Sequence, residues 1–113
     1  MREDTERLQD MLDAISAIER YLQQGRQAFE EQELIQVWVA YHLQIIGEAS
    51  NALSDTLKTN YPDIPWRQIV GLRNLLVHEY FRIDPQVLWD VTQYDLPSLQ
   101  QTLYRMQQDL ENP

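Results

Sequence analysis

The chain has 113 residues, of which 43% are hydrophobic, and its 18 acidic and 9 basic side chains give a formal net charge of −9. This length predicts a single domain, residues 1–113, and the lack of cysteine excludes disulfides and thiolate metal sites. The acidic balance argues against broad electrostatic binding of nucleic acid, because such binding depends on lysine and arginine side chains that neutralise phosphates.

The first half of the chain predicts two helices. Apolar residues at helical spacing predict the first over 4–24, ending before Gly25: Leu8, Met11, Leu12, Ile15, Ile18 and Leu22. A short acidic connector containing Phe29 follows. The second helix is predicted over 33–59, before Pro62 and Pro65. Its expected buried face consists of Leu34, Trp38, Tyr41, Ile45, Ala49, Leu53 and Leu57.

The second half predicts further helices. A third helix begins near Trp66, and a turn at 82–85 makes Asp84 the expected N-cap before Pro85. Apolar residues at helical spacing predict the last helical region: Val87, Leu88, Val91, Leu99, Leu103, Met106 and Leu110. Pro97 should kink this region or divide it, with Asp95 as the cap of a new start. Since no segment alternates with the period of a strand, the fold class is all-α.

Two features predict the location of the protein. The N-terminal segment MREDTERLQD is charged and lacks the apolar run of a signal peptide. The longest apolar stretch, LIQVWVAYHLQII, is interrupted by Gln36, His42 and Gln44 and is shorter than the roughly 20 residues that span a bilayer. We therefore expect a soluble, cytoplasmic protein without a membrane partner.

The segment RNLLVHEYF, residues 73–81, combines an apolar helix with residues suited to chemistry. At about 100° per residue, Arg73 lies within an apolar stripe. That stripe consists of Ile69, Leu72, Leu76, Val77 and Tyr80. Asn74 and His78 form a separate polar strip with Gly71. On a straight helix Arg73 and His78 point about 140° apart. A shared site therefore requires a helix end or distortion near His78, or a second copy of the chain paired along the Gly71, Asn74 and His78 strip.

The second helix carries a matching feature. Glu48 lies on a mainly apolar face, where a carboxylate needs a cationic partner, and Arg73 is the candidate. Small residues beside it suit close packing of another helix: Gly47, Ser50, Asn51 and Ser54. His42 has no cluster of partners and is interpreted as structural. The three tryptophans, Trp38, Trp66 and Trp89, are most simply core or interface residues.

Several sequence blocks together resemble a known family. Arg73, His78 and Tyr80 form the pattern R-x4-H-x-Y, and three further blocks accompany it in order: IIGEASNAL (45–53), YPDIPWRQIVGLRN (61–74) and LWDVTQYDLPSL (88–99). The pattern R-x4-H alone is weak, but the four blocks cover most of the chain. The sequence resembles the HepT-like branch of the HEPN superfamily, the toxin half of bacterial two-gene toxin–antitoxin modules.

The resemblance implies an all-α, HEPN-type four- to five-helix up-and-down bundle that dimerises. It also implies a metal-independent endoribonuclease toxin of a type VII-like module, with RNA as substrate and no cofactor. Arg73 and His78 correspond to the catalytic pair, Asn74 to the assisting polar residue, and Glu48 is expected to orient the arginine. Tyr80 corresponds to the tyrosine on which a minimal nucleotidyltransferase antitoxin places AMP. Whether the homodimer assembles further with the antitoxin stays open.

Two other functions remain as alternatives. In one, the chain is a non-catalytic helical module and the polar strip binds a second copy or a protein partner. In the other, the HEPN fold binds nucleotide without cleaving RNA. A metal site is not predicted, because the chain has two histidines and no helical E-x-x-H pattern.

Overall fold

The computed structural model describes residues 3–112, and all regular elements in this range are helical. The α-helices are α1 (Asp4–Leu22), α2 (Arg26–Glu31), α3 (Glu33–Ala52), α4 (Asp55–Thr59), α5 (Trp66–Glu79), α6 (Pro85–Asp90) and α7 (Leu96–Glu111). A 3-10 turn (Tyr80–Arg82) follows α5, and a π-helical turn (Val91–Asp95) joins α6 to α7. The all-α prediction is confirmed.

The bundle is organised around α3, which packs against both α1 and α5, while α7 packs against α1. The longest helices, α1, α3, α5 and α7, give the molecule an elongated shape of 45 × 28 × 25 Å. The centre of the core contains fully buried side chains from α1, α3 and α7: Leu8, Met11, Ile15, Ile18, Val39, Leu103 and Met106. No helix within residues 3–112 is both long enough and apolar enough to cross a membrane.

Helix α1 forms as its periodicity predicts. Two acidic residues in its first turn and Arg20 in its last complement the helix dipole. Its apolar face is buried against α3 and α7. The helix ends at Leu22, and Gly25 has a φ of +94°, a conformation that side chains other than glycine rarely adopt.

The predicted connector after α1 is wrong, because its residues form the short helix α2. Six residues are too few for helical periodicity to be visible in the sequence. The helix is instead stabilised by tertiary contact: Phe29 is fully buried and its ring centre lies 5.3 Å from that of Trp89. The guanidinium of Arg26 lies over the same indole, 5.9 Å from the ring centre.

The predicted helix over 33–59 is also wrong in extent, since it is divided into α3 and α4. Leu53 and Ser54 have extended backbone conformations, and the Ser54 hydroxyl accepts a hydrogen bond from the amide of Leu57 at 3.2 Å, capping α4. The carboxylate of Asp4 accepts hydrogen bonds from both the amide and the hydroxyl of Ser54, at 3.0 and 2.7 Å. The N-terminus of α1 therefore holds the break in place.

The predicted buried face of α3 is wrong at its N-terminal half. Leu34 and Tyr41 are 83% and 58% exposed, whereas Ile35, Val39 and Leu43 are buried. Because α1 and α5 cover α3 from two sides, its buried surface is not one stripe, and the stripe that includes Leu34 faces outward. Farther along, Ala49, Leu53 and Leu57 are buried as predicted.

The C-terminal region confirms one predicted cap and contradicts another. The carboxylate of Asp84 accepts a hydrogen bond from the amide of Gln86 at 2.9 Å, with Pro85 at the first position of α6. Asp95 makes no such side-chain cap, so that prediction is wrong. The π-helical turn carries the chain directly into α7, with Pro97 in its first turn, so no new helix start needs a cap.

Candidate active site

Helix α5 has an inner apolar face and an outer polar face. Leu76 is fully buried, and Ile69 and Leu72 are partly buried against the core. Gly71, Asn74 and His78 are all exposed, as the predicted polar strip requires. Val77, which was expected to belong to the inner stripe, is 43% exposed instead. Because α5 packs mainly on α3, its outer face stays open to solvent.

Arg73 lies at the seam between α5 and α3 and is held by two neighbours. Its Nη2 donates to Oε1 of Glu48 at 3.2 Å, and its Nη1 donates to Oδ1 of Asn74 at 2.9 Å. The predicted pairing of Arg73 with Glu48 is thereby confirmed. The Glu48 side chain is 58% exposed, so it is not the buried carboxylate that its position on the helix suggested. The Arg73 side chain, 30% exposed, keeps surface available to a ligand.

Helix α5 approaches α3 closely at Gly47. A Cβ atom built on Gly47 would lie 2.2 Å from the Cβ of Arg73 and 2.8 Å from its Cγ. The close packing predicted for the small residues of α3 is therefore confirmed at Gly47, and the helix that packs there is α5. The other small residues serve elsewhere: Ser50 is buried near Met11 of α1, and Ser54 caps α4.

His78 stands near the end of α5 with a free side chain. Among residues 3–112, no hydrogen bond or ion pair reaches its imidazole, which is exposed. The helix ends one residue later at Glu79, whose φ of −140° and ψ of 35° turn the chain into the 3-10 segment. The predicted helix end near His78 is confirmed. Within one chain, however, no direct contact joins His78 to Arg73 in the described structure.

Tyr80 begins the 3-10 turn, and its side chain is half-buried. Burial raises the pKa of its phenol above the ordinary value of 10.0, and the nearby carboxylate of Glu33 raises that pKa further. The phenol is therefore protonated at neutral pH.

The second histidine, His42, is a structural residue, as expected. It is buried, its Nδ1 donates to the carbonyl of Trp38 at 2.8 Å, and its ring contacts those of Trp38 and Tyr41. The tryptophans also play structural roles. The indole N–H groups of Trp38 and Trp66 donate to the carbonyls of Ala17 and Tyr61, at 2.7 and 3.1 Å.

Exposed apolar side chains on α3, on α5 and in the following turn are a feature that the sequence interpretation missed. On α3 they are Leu34, Val37 and Tyr41; on α5 and the following turn they are Leu75, Val77 and Phe81. In the sequence, an aromatic residue directly after the R-x4-H-x-Y pattern, Phe81, is a signal that could have revealed this exposed surface. The Phe81 side chain is 89% exposed in the structure. Within residues 3–112, no three histidine, aspartate or glutamate side chains group as metal ligands.

Comparisons with known proteins agree with the resemblance found in the sequence. The family described as Ribonuclease HepT-like matches residues 11–106. A candidate RNase of Methanocaldococcus jannaschii is 39% identical over 71 residues, covering 63% of this chain and 65% of the relative. A candidate ribonuclease HepT of Thermococcus cleftensis is 38% identical over 95 residues, covering 81% of this chain and 84% of the relative.

A second candidate RNase of Methanocaldococcus jannaschii is 32% identical over 69 residues, which are 61% of this chain and 60% of the relative. In both Methanocaldococcus relatives, then, the matched segment spans less than two thirds of the protein. No solved structure matches the chain significantly. Because the family match extends over most of the chain, the protein belongs to the HepT-like family of the HEPN superfamily.

Proposed function

We propose that the protein is an endoribonuclease toxin in which Arg73 and His78 form the catalytic pair and Asn74 assists. One observation supports this proposal most directly. Glu48 and Asn74 hold a partly exposed arginine in a fixed orientation, and the same helix carries an exposed histidine that has no partner within residues 3–112. Membership of the HepT-like family, and relatives named as candidate ribonucleases, support the choice of RNA as substrate.

The chemistry of these side chains suits cleavage of an RNA phosphodiester. The 2′-hydroxyl loses a proton as its oxygen attacks phosphorus, and the 5′-oxygen leaves with a proton. Histidine titrates near neutral pH and can act as either base or acid. Arginine is permanently charged and can bind the phosphate with two N–H groups, stabilising the charge that develops in the transition state. Since Glu48 and Asn74 each occupy one Nη group, the guanidinium is oriented before RNA binds.

A homodimer would complete the site, because Arg73 and His78 lie on different flanks of α5. The exposed apolar residues on and just after α5 support this arrangement: they are Leu75, Val77 and Phe81. Covering such a surface with a second copy removes apolar area from water. Two copies of His78 could then divide the roles of acid and base.

Tyr80 is the proposed off-switch. A minimal nucleotidyltransferase antitoxin would join the Tyr80 oxygen to the α-phosphorus of ATP, with release of pyrophosphate. Because the Tyr80 phenol is protonated at neutral pH, the partner must accept its proton. The attached AMP would place a bulky negative group two residues from His78, where it blocks and repels the substrate phosphate. The pair would form a type VII-like toxin–antitoxin module.

The decisive experiment compares the two histidines. The purified wild type, His78→Ala and His42→Ala are incubated with a labelled RNA oligonucleotide in the presence of EDTA, and the same variants are expressed to measure growth inhibition. His78→Ala should abolish cleavage and toxicity while circular dichroism and sedimentation stay unchanged. His42→Ala should lower stability yet still cleave RNA. Unchanged cleavage by folded His78→Ala would refute the proposal.

The role of Tyr80 is tested by intact-mass measurement after incubation with the nucleotidyltransferase and ATP. The wild type should gain the mass of one or more AMP units and lose RNA cleavage. Tyr80→Phe should gain no mass and should remain active in the presence of the partner. AMP retained on Tyr80→Phe would show that another residue is modified.

A further inference from the structure

Gly47 meets Arg73 where α3 packs against α5. A Cβ atom on Gly47 would fall 2.2 Å from the Cβ of Arg73, 2.8 Å from its Cγ and 3.3 Å from the carbonyl oxygen of Ile69. Real Cβ atoms essentially never lie under 3.0 Å from another heavy atom. The two nearest atoms belong to the inflexible base of the arginine side chain, so α5 itself would have to move to accommodate any other residue.

The same contact determines where the guanidinium of Arg73 lies. The stem of the side chain crosses α3 at Gly47, and its Nη2 then reaches Glu48, the next residue of α3. Its Nε is buried and has no hydrogen-bond partner within residues 3–112, so the Nη groups are the part that can meet a ligand. Gly47 and Glu48 thus hold Arg73 at two points, the first by close approach and the second by charge.

We infer that Gly47 is a positioning residue for the proposed cleavage reaction: it acts through Arg73, by allowing α5 to approach α3 closely enough for the guanidinium to take its working orientation. This inference rests on the proposed function, since it assigns Arg73 to the chemistry. Gly47 touches no substrate in this mechanism. Its effect should appear in the rate of the chemical step, because displacing a reacting group by about 1 Å can reduce a rate by roughly 100-fold.

Gly47→Ala is the direct test, with kcat and KM measured on a labelled RNA oligonucleotide. We expect kcat to fall by roughly 100-fold while KM changes little, because Arg73 is displaced from the transition state more than RNA binding is weakened. Ala49→Val is the matched control. Ala49 is buried on the same helix but about 160° around it from Gly47, so the added bulk disturbs packing away from Arg73. It should lower the melting temperature and leave kcat unchanged.

A double-mutant cycle keeps the inference testable if Gly47→Ala folds poorly. Arg73→Gly removes the Cβ and Cγ atoms that the new methyl group would meet. Gly47→Ala should therefore lower the melting temperature strongly in the wild type and only slightly in the Arg73→Gly background. This measurement does not depend on RNA cleavage. If the wild type fails to cleave RNA, the proposed function is refuted. The comparison of melting temperatures still tests whether Gly47 and Arg73 meet.

Three results would overturn the inference. One is wild-type kcat in Gly47→Ala, which would mean that the position of Arg73 does not depend on this glycine. Another is an equal fall of kcat in Gly47→Ala and Ala49→Val, which would indicate general damage to α3. The last is an equal loss of melting temperature from Gly47→Ala with and without Arg73→Gly, which would show that the two residues do not meet.

Discussion

Helices α1 and α5 both pack against α3, but they differ in how much of their surface is buried. α1 has six buried side chains and packs against α7 as well as α3. α5 has one, Leu76, and rests mainly on α3. A cavity of about 430 Å³, lined by Leu43, Ile69, Leu72 and Leu99 among others, lies between α5 and the π-helical turn and start of α7.

If the proposed function is right, the difference separates stability from chemistry within one small protein. The free energy of unfolding depends mostly on buried apolar surface, which is concentrated around α1, α3 and α7. α5 has little buried surface to lose, so its outer face can carry Arg73, Asn74 and His78 without great cost to the fold. Substitutions on α1 should therefore affect stability, and those on the outer side of α5 should affect activity.

Among substitutions on α5, we expect those at Arg73 to have the largest effect on RNA cleavage. Arg73→Ala should reduce RNA cleavage by roughly 100- to 1000-fold, because it removes the donors that stabilise transition-state charge. Arg73→Lys, which keeps the charge without the forked geometry, should restore only a small part of the activity. Steady-state cleavage of a labelled oligonucleotide measures both. Full activity in Arg73→Lys would show that a point charge is sufficient.

The α1 side is tested by truncating a core residue. Ile15→Ala should lower the free energy of unfolding by about 2–5 kcal/mol, because Ile15 is fully buried and its loss leaves a cavity. Arg67→Ala on α5 should change it by less than about 0.5 kcal/mol, since the Arg67 side chain is exposed. Urea denaturation of each variant and of the wild type at one protein concentration measures both values. Equal losses would contradict the division between the two helices.

A substitution at the seam between α3 and α5 should have an effect between those expected for α1 and for the outer side of α5. Glu48→Gln should change the free energy of unfolding by no more than about 1 kcal/mol, because the Glu48 side chain is 58% exposed and its ion pair with Arg73 is partly solvated. RNA cleavage should fall more than stability does, since the neutral amide holds the guanidinium less firmly. Comparing the cleavage rate with the urea midpoint tests this. A loss of stability without any loss of cleavage would assign Glu48 to packing alone.

The smallest expected effect is the titration of Tyr80. Its pKa is raised above 10.0 chiefly by burial and secondarily by Glu33. A raised folded-state pKa means that the contribution of Tyr80 to stability is complete below pH 10 and is lost as the pH rises through the folded pKa. Wild type should therefore lose more stability above pH 10 than Tyr80→Phe does.

Absorbance difference titration of wild type against Tyr80→Phe measures the Tyr80 pKa directly. Glu33→Gln should lower that pKa only partly, because burial is the larger cause. A Tyr80 pKa at the ordinary value in the wild type would show that the phenol is more exposed in solution than in this structure.

How much could be predicted from the sequence depended on whether the evidence was local. The periodicity of α1, the Asp84–Pro85 helix start and the polar strip of α5 were all predicted, because each depends on residues within a few turns of one another. The pairing of Glu48 with Arg73 was also predicted, since a carboxylate and a guanidinium on apolar faces each require a partner.

The sequence by itself therefore determined that the protein is helical, where the polar strip and the R-x4-H-x-Y pattern lie and to which family it belongs. Only the tertiary structure decided the rest. The break after α3 depends on Asp4, 50 residues away, and the helix α2 depends on contact between Phe29 and Trp89. The outward face of α3 and the meeting of Gly47 with Arg73 depend on how the helices pack. Packing is decided by burial summed over distant segments, which no local pattern of residues records.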